Sequence, residues 1–248
     1  MKIAVAGGTG MVGKHVVAAV QQGGHEAVVL ARSTGVDVLT GAGLDAALEG
    51  VDAVVDVTST GTQSGKAAVR FFTTVTRNLL AAQKRAGIGH HVALSIVGAT
   101  SVNAGYYAGK AAQERVLMAL GGGWSILRAT QFHEFAQQMA QRLRVAGLQL
   151  SPVMTCQPVA AAAAGEALAE IAAGEPRGLD RDLAGPREEQ MTRMVRDYLA
   201  AHGDKRHVFG IAMPGAFGKG LRDGAILPGP DARLDPLTFD DWLAAQVG

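Results

Sequence analysis

The 248 residues suffice for one large α/β domain or two small ones. With 48% hydrophobic and 18% charged residues the chain can fill a core, and 23 Lys and Arg against 22 Asp and Glu leave no basic excess to recruit nucleic acid. The single Cys156 excludes an internal disulfide and reads more simply as a small buried hydrophobe than as a nucleophile.

Strand and helix patterns alternate through the first half of the chain. A short apolar strand over residues 3–6 runs into a glycine-rich turn, and a helix over 14–22 ends at Gly23 and Gly24. A second strand is expected over 26–31, a short third over 36–38, a short helix over 44–49 and a fourth strand over 51–57. After a polar loop over 58–65, Val69, Phe72, Val75, Leu79 and Ala82 recur three and four apart and predict a long helix over 67–86. A fifth strand (91–95), a helix (104–120) and a sixth strand opening at 125–127 follow. Beyond Ala129 the alternation loosens into helices over 134–145, 159–173 and 188–202, with Gly- and Pro-rich loops over 209–230.

This βα alternation predicts an α/β fold: a Rossmann-type, doubly wound parallel sheet with a small C-terminal substrate-side cap. The expected organisation is one domain, with the core over 1–130 and mainly cap over 131–248. Only four apolar residues separate Lys2 from the glycines, and no run reaches the ~18 apolar residues of a membrane span. A soluble, cytoplasmic chain without a membrane partner is expected.

The glycine turn is the strongest chemical signal. Gly7, Gly8, Thr9, Gly10, Met11, Val12 and Gly13 fit two overlapping patterns, with glycines at 8, 10 and 13 or at 7, 10 and 13. A strand before it and a helix after it are the context a dinucleotide site requires. The glycines let the backbone approach a pyrophosphate, and the helix N-terminus offers it unpaired N–H groups.

Tyr106 and Lys110 form a Tyr-x-x-x-Lys spacing that puts both on one helix face. A phenol that titrates near 10 needs help to act near neutrality, and a lysine cation favours its ionised form. On spacing alone, a tyrosine at a helix start and a solvated lysine fit as well. Ser95, near the C-terminal end of the fifth strand, stands where it can donate to a substrate carbonyl, or it is satisfied by backbone.

Together the glycine turn, Ser95, Tyr106 and Lys110 resemble the short-chain dehydrogenase/reductase superfamily. The stretches from Ile126 to Phe135 and from Ala184 to Glu188 resemble its atypical, NmrA-like NAD(P)H-binding oxidoreductases. The resemblance implies Tyr106 as proton donor, Ser95 as carbonyl anchor, and Lys110 as the residue that orients the nicotinamide ribose and lowers the tyrosine pKa. It also allows a homodimer through helices flanking the sheet. Two features depart from the pattern. Ser95 and Tyr106 are only eleven positions apart, and Asp56-Val57-Thr58-Ser59-Thr60 replaces the superfamily's Asn-Asn-Ala-Gly stretch.

At the end of the second strand, Arg32 and Ser33 replace the acidic residue that would bind the ribose hydroxyls of NAD, so NADP(H) is expected over NAD(H). A solvated loop arginine is the alternative. Asp37 and Val38 resemble the pair flanking adenine, or form a plain exposed turn, and Thr58 and Thr130 complete the expected cofactor contacts. Gln131, Phe132 and His133 are the expected substrate-side residues, although a lone histidine is more often structural. No histidine spacing suggests a metal: His90 and His91, as strand neighbours, face opposite sides. The expected activity is reduction by NADPH of a small hydrophobic or aromatic ketone or aldehyde, or the reverse. A quinone reductase and a non-catalytic NADP(H) sensor are the alternatives.

Overall fold

The computed structural model describes residues 1–142, 144, 145 and 147–247. The chain begins with β1 (Lys2–Ala6), α1 (Gly13–Gln22), β2 (Glu26–Leu30), α2 (Leu44–Ala47), β3 (Ala53–Asp56) and α3 (Gly65–Ala86). Next come β4 (His90–Ile96), α4 (Ala99–Val102), α5 (Gly105–Leu120), β5 (Gly123–Ala129), α6 (Glu134–Arg142), β6 (Arg144–Val145), β7 (Leu148–Pro152) and β8 (Thr155–Cys156). It continues with α7 (Ala161–Ala172), β9 (Gly178–Leu179), β10 (Leu183–Ala184), β11 (Glu189–Gln190) and α8 (Met191–Ala201). The last elements are β12 (Val208–Ile211), α9 (Gly215–Arg222), β13 (Arg233–Leu234) and α10 (Phe239–Val247).

These elements form two compact units. One is Met1–Arg128 with Ala162–Arg181; the other is Ala129–Ala161 with the residues from Asp182 onward. Residues 162–181, expected with the cap, fall in the first unit. Gly165 explains the docking of α7: a Cβ there would lie 2.6 Å from His15 Cβ and 2.9 Å from Val16 N, so only glycine lets α7 lie this close to α1.

In the first unit the strands lie in the order β2-β1-β3-β4-β5, with β9 beside β5. This is the expected Rossmann-type parallel α/β sheet. Ala6 pairs with Leu30 on one side and with Asp56 on the other, so the strand order reverses at β1. Ligands of open α/β sheets bind beyond the strand C-termini at such a reversal. Ile3, Ala4, Val5 and Ala6 are all fully buried, as a strand covered on both faces requires. Ala4, Ala6 and Val54 pack with Leu44 and Leu48 of the α2 region and with Val75, Leu79 and Ala82 of α3. Ser64 caps α3 by accepting from Ala67 N at 3.4 Å, and Gly87 ends it at φ +72°.

The expected third strand over 36–38 does not form. Asp37 makes only an isolated bridge to Ala42, and Gly35, Gly41 and Gly43 hold positive φ, so the chain turns instead of extending.

In the second unit Leu183 of β10 pairs with Ala129, and β13 runs parallel to β10. A separate sheet has the order β12-β7-β6. The helix expected over 134–145 ends at Arg142, because Arg144 and Val145 pair antiparallel with β7. The helix expected over 188–202 starts only at Met191, because Glu189 and Gln190 pair with Cys156 and Thr155. The segment 209–230, expected as loops, contributes to β12 and contains α9. No described helix is long and apolar enough to cross a membrane.

Candidate functional site

β1 delivers the chain into the glycine turn at the sheet reversal. Gly7 holds φ +81° and lies against the end of β3; a Cβ would approach Val57 O at 3.1 Å and Thr58 Cα at 3.2 Å. Gly10 N donates to Gly7 O at 2.9 Å and closes the turn. A Cβ on Gly13 would sit 2.0 Å from Gly7 O and 2.7 Å from Gly8 Cα, so α1 can start on top of the turn only with glycine there. No side chain caps α1. The turn is thus a backbone-lined cradle at an uncapped helix start, the fit a dinucleotide pyrophosphate needs.

The end of β3 continues the site. Asp56 is fully buried, and its Oδ1 accepts from Thr58 N at 2.9 Å and from the Thr58 hydroxyl at 2.6 Å. Gln113 Nε2 donates to Asp56 Oδ2 at 2.9 Å, while Gln113 Oε1 accepts from Lys110 Nζ at 2.9 Å. Lys110 also donates to Leu94 O at 2.8 Å and to Thr58 O at 3.5 Å, and lies 4.3 Å from the Phe72 ring centroid. Burial drives its ammonium down to about 8, against the opposing charges of Asp56 and Glu114.

Tyr106 begins α5, its ring edge-on to Phe72 at 5.5 Å. Its hydroxyl is 3.2 Å from Ser59 Oγ. Burial pushes the phenol up to about 12, while the Ser59 hydrogen bond acts the other way. This corrects the expectation that Lys110 lowers the tyrosine pKa. Lys110 shares a helix face with Tyr106, but its ammonium is directed to Leu94 O and Gln113.

Ser95 also differs from its expected role. Its hydroxyl donates to Glu114 Oε1 at 2.6 Å, and Glu114 in turn receives Arg128 on both oxygens, at 2.9 and 2.6 Å. Ser95 therefore has no proton left to donate to a substrate carbonyl.

Beyond β2, Arg32 and Ser33 are exposed on a 3₁₀ turn. Thr34 holds that turn by accepting from Ala31 N at 3.2 Å and donating to Val29 O at 2.8 Å. Gly7 N donates to Leu30 O at 3.2 Å, so this turn adjoins the glycine turn. Asp37 Oδ1 accepts from Leu39 N at 2.9 Å, closing its own turn, and Val38 O accepts from Asn78 at 3.1 Å.

Residues 33–170, more than half of the chain, match the model of an NAD(P)H-binding family. The chain belongs to that family. An NADPH-dependent quinone oxidoreductase from Escherichia coli superposes with TM-score 0.70 at 16% identity, covering 99% of this chain and 100% of that one. The UDP-N-acetylglucosamine 4-epimerase of Bacillus cereus gives TM-score 0.70 at 21% identity, covering 100% and 95%. The enzyme WbmH of Bordetella bronchiseptica, in complex with NAD+, gives 0.72 at 13% identity, covering 98% and 96%. At these identities the likeness is one of fold. No curated protein matches the chain.

The remaining expected residues of this NAD(P)H-binding protein lie in its second unit. Thr130 donates its hydroxyl to Gln157 O at 2.6 Å, so that proton serves the loop and not a cofactor. Gln131 O accepts from Val159 N at 2.9 Å, and Phe132 bridges Val159. His133 is fully buried, 3.2 Å from Leu237 O and 5.8 Å from the Phe239 and Trp242 ring centroids. Burial lowers its pKa to about 4, so it is a neutral core residue and not the expected substrate contact. His90 and His91 engage different partners, Ser125 at 2.9 Å and Gln83 at 2.6 Å.

Sequence reading missed Asp56, Ser59, Gln113 and Glu114. The only signal for Gln113 was its position, three residues after Lys110 and one helical turn along the same face.

Proposed function

We propose that this protein is an NADPH-dependent reductase acting on a carbonyl group of a small aryl ketone, aldehyde or quinone. The observation that carries the reading is a chain of contacts at the sheet reversal. Gly7 packs on Thr58, Thr58 O accepts from Lys110, and the next residue, Ser59, meets the Tyr106 hydroxyl. An ionisable phenol thus stands next to a built dinucleotide cradle. The quinone oxidoreductase among the structural neighbours supports the substrate class.

Bound NADPH would supply a hydride to the carbonyl carbon. The glycine turn would hold the pyrophosphate, and Arg32 with Ser33 would meet the adenosine 2′-phosphate through a planar donor fork and a hydroxyl. Tyr106 donates the proton to the substrate oxygen. A phenol raised to about 12 is fully protonated at neutral pH and ready to donate. The alkoxide formed by hydride arrival is the stronger base, with a conjugate acid about as weak as water. For the reverse reaction the phenol would have to lose its proton first, which its burial opposes. Lys110, fixed by Leu94 O and Gln113, keeps a positive charge beneath this site below about pH 8.

A second reading, an NADP(H) sensor without turnover, draws support from the internal commitments of Ser95 and Lys110. Following NADPH oxidation with aryl ketones, aldehydes and quinones, for wild type and Y106F, separates the two. A reductase turns over and loses that turnover in Y106F. A sensor binds NADPH saturably and turns over nothing.

A further inference from the structure

We infer that Ser59 is a catalytic residue: its hydroxyl and that of Tyr106 together grip the substrate oxygen, in the role that Ser95 cannot fill. This rests on the reading of Tyr106 as proton donor.

A carbonyl oxygen that receives a hydride at its carbon develops a full negative charge, and one donor leaves part of it unmet. Ser95 cannot be the second donor, because its proton goes to Glu114 Oε1 at 2.6 Å. Ser59 Oγ lies 3.2 Å from Tyr106 Oη, a long contact between two neutral hydroxyls and not a 2.6 Å bond to a buried carboxylate like that of Ser95, so both hydroxyls can turn from each other to one substrate oxygen. Ser59 is also exposed, so a substrate can reach it.

Its position is fixed by the residue before it. Thr58 is pinned through both its amide and its hydroxyl to the buried Asp56 carboxylate. The same Asp56 holds Lys110 through Gln113. One buried carboxylate therefore sets both the loop that carries Ser59 and the lysine beneath it. The loop carries three hydroxyls in a row, on Thr58, Ser59 and Thr60.

Bound NADPH would supply the hydride that forms the new C–H bond as the carbonyl π pair moves to oxygen. That oxygen takes the Tyr106 proton, leaving alcohol, NADP⁺ and tyrosinate. Ser59, released from the product, donates to the tyrosinate, the direction in which its hydrogen bond acts on the phenol. Solvent then returns a proton to Tyr106 through the exposed Ser59 hydroxyl.

The test compares wild type, S59A, S59T, Y106F and S59A/Y106F, using acetophenone, benzaldehyde and naphthoquinone as acceptors and NADPH fluorescence for cofactor affinity. Expected is a kcat about ten- to a hundredfold lower in S59A, unchanged NADPH affinity, most of the activity restored in S59T, and no further loss in the double variant beyond Y106F. If Y106F is inactive while S59A keeps wild-type kcat, the assignment of Ser59 falls and the reductase reading stands. If S59A weakens NADPH binding but leaves kcat at saturation unchanged, Ser59 is a cofactor contact and the assignment again falls. If Y106F retains activity, or wild type reduces none of the three acceptors, the reading of Tyr106 fails and takes this one with it.

Discussion

Ser95 and Glu114 are joined by a 2.6 Å hydrogen bond inside the first unit, and Arg128 closes on the same carboxylate from its other side. Glu114 is almost fully buried, so its charge is held by these two partners. A serine at a strand end, well placed for substrate, thus serves an internal ion pair.

S95A should therefore destabilise the protein without disabling it. Losing a hydrogen bond to a charged acceptor costs about 1.5–3 kcal/mol, and kcat should stay within about threefold of wild type. E114A should cost about 3 kcal/mol or more, because it leaves the Arg128 guanidinium half-buried without its carboxylate. Urea unfolding beside steady-state kinetics reads both.

Gly13→Ala tests the cradle. Its Cβ would need the space of the Gly7 carbonyl, 2.0 Å away, so the turn must open. We expect about 1–3 kcal/mol of lost stability and at least tenfold weaker NADPH binding, by thermal melting and fluorescence titration.

Arg32→Ala tests cofactor choice. The exposed guanidinium can pair with a 2′-phosphate that NADH lacks. NADPH affinity should fall about ten- to a hundredfold, with NADH affinity nearly unchanged. Equal losses for both cofactors would contradict the assignment.

Lys110 makes stability depend on pH. Its unfolded value is 10.5 and burial lowers the folded one to about 8. Below about pH 8 both states are protonated and the folded state carries the whole burden of the buried charge. Between the two values the unfolded chain holds a proton that the folded one has released, so stability rises with pH across that window. The shift corresponds to about 3 kcal/mol. Relative to K110M, wild type should gain stability from about pH 8 to about pH 10.5, measured by urea unfolding. A flat difference would show that the ammonium keeps its ordinary pKa when folded.

The fold was legible where local chemistry has one solution. Gly7 and Gly13 have no substitute in the turn, and the α3 periodicity placed Phe72, Val75, Leu79 and Ala82 in the core, where they are fully buried. It was less legible where tertiary pairing overrides local pattern. Residues 36–38 look like a strand, but Asp37 folds its carboxylate back onto Leu39 N. Residues 208–211 join a Gly-rich region to a sheet only because β7 offers a parallel partner. At the site, Tyr106 and Lys110 were visible as a spacing, whereas their partners were not. Ser95 meets Glu114 nineteen positions away, and Gln113 meets Asp56 fifty-seven away. Such pairs exist only once the helix lies on the sheet.

The most direct measurement is NADPH oxidation by Y106F beside wild type, with NADPH affinity determined for both. We expect wild-type turnover with an aryl ketone, aldehyde or quinone, at least a hundredfold loss of kcat in Y106F, in the range of general-acid catalysis, and equal NADPH affinity. Equal turnover by the two proteins would contradict the reading of Tyr106 as proton donor.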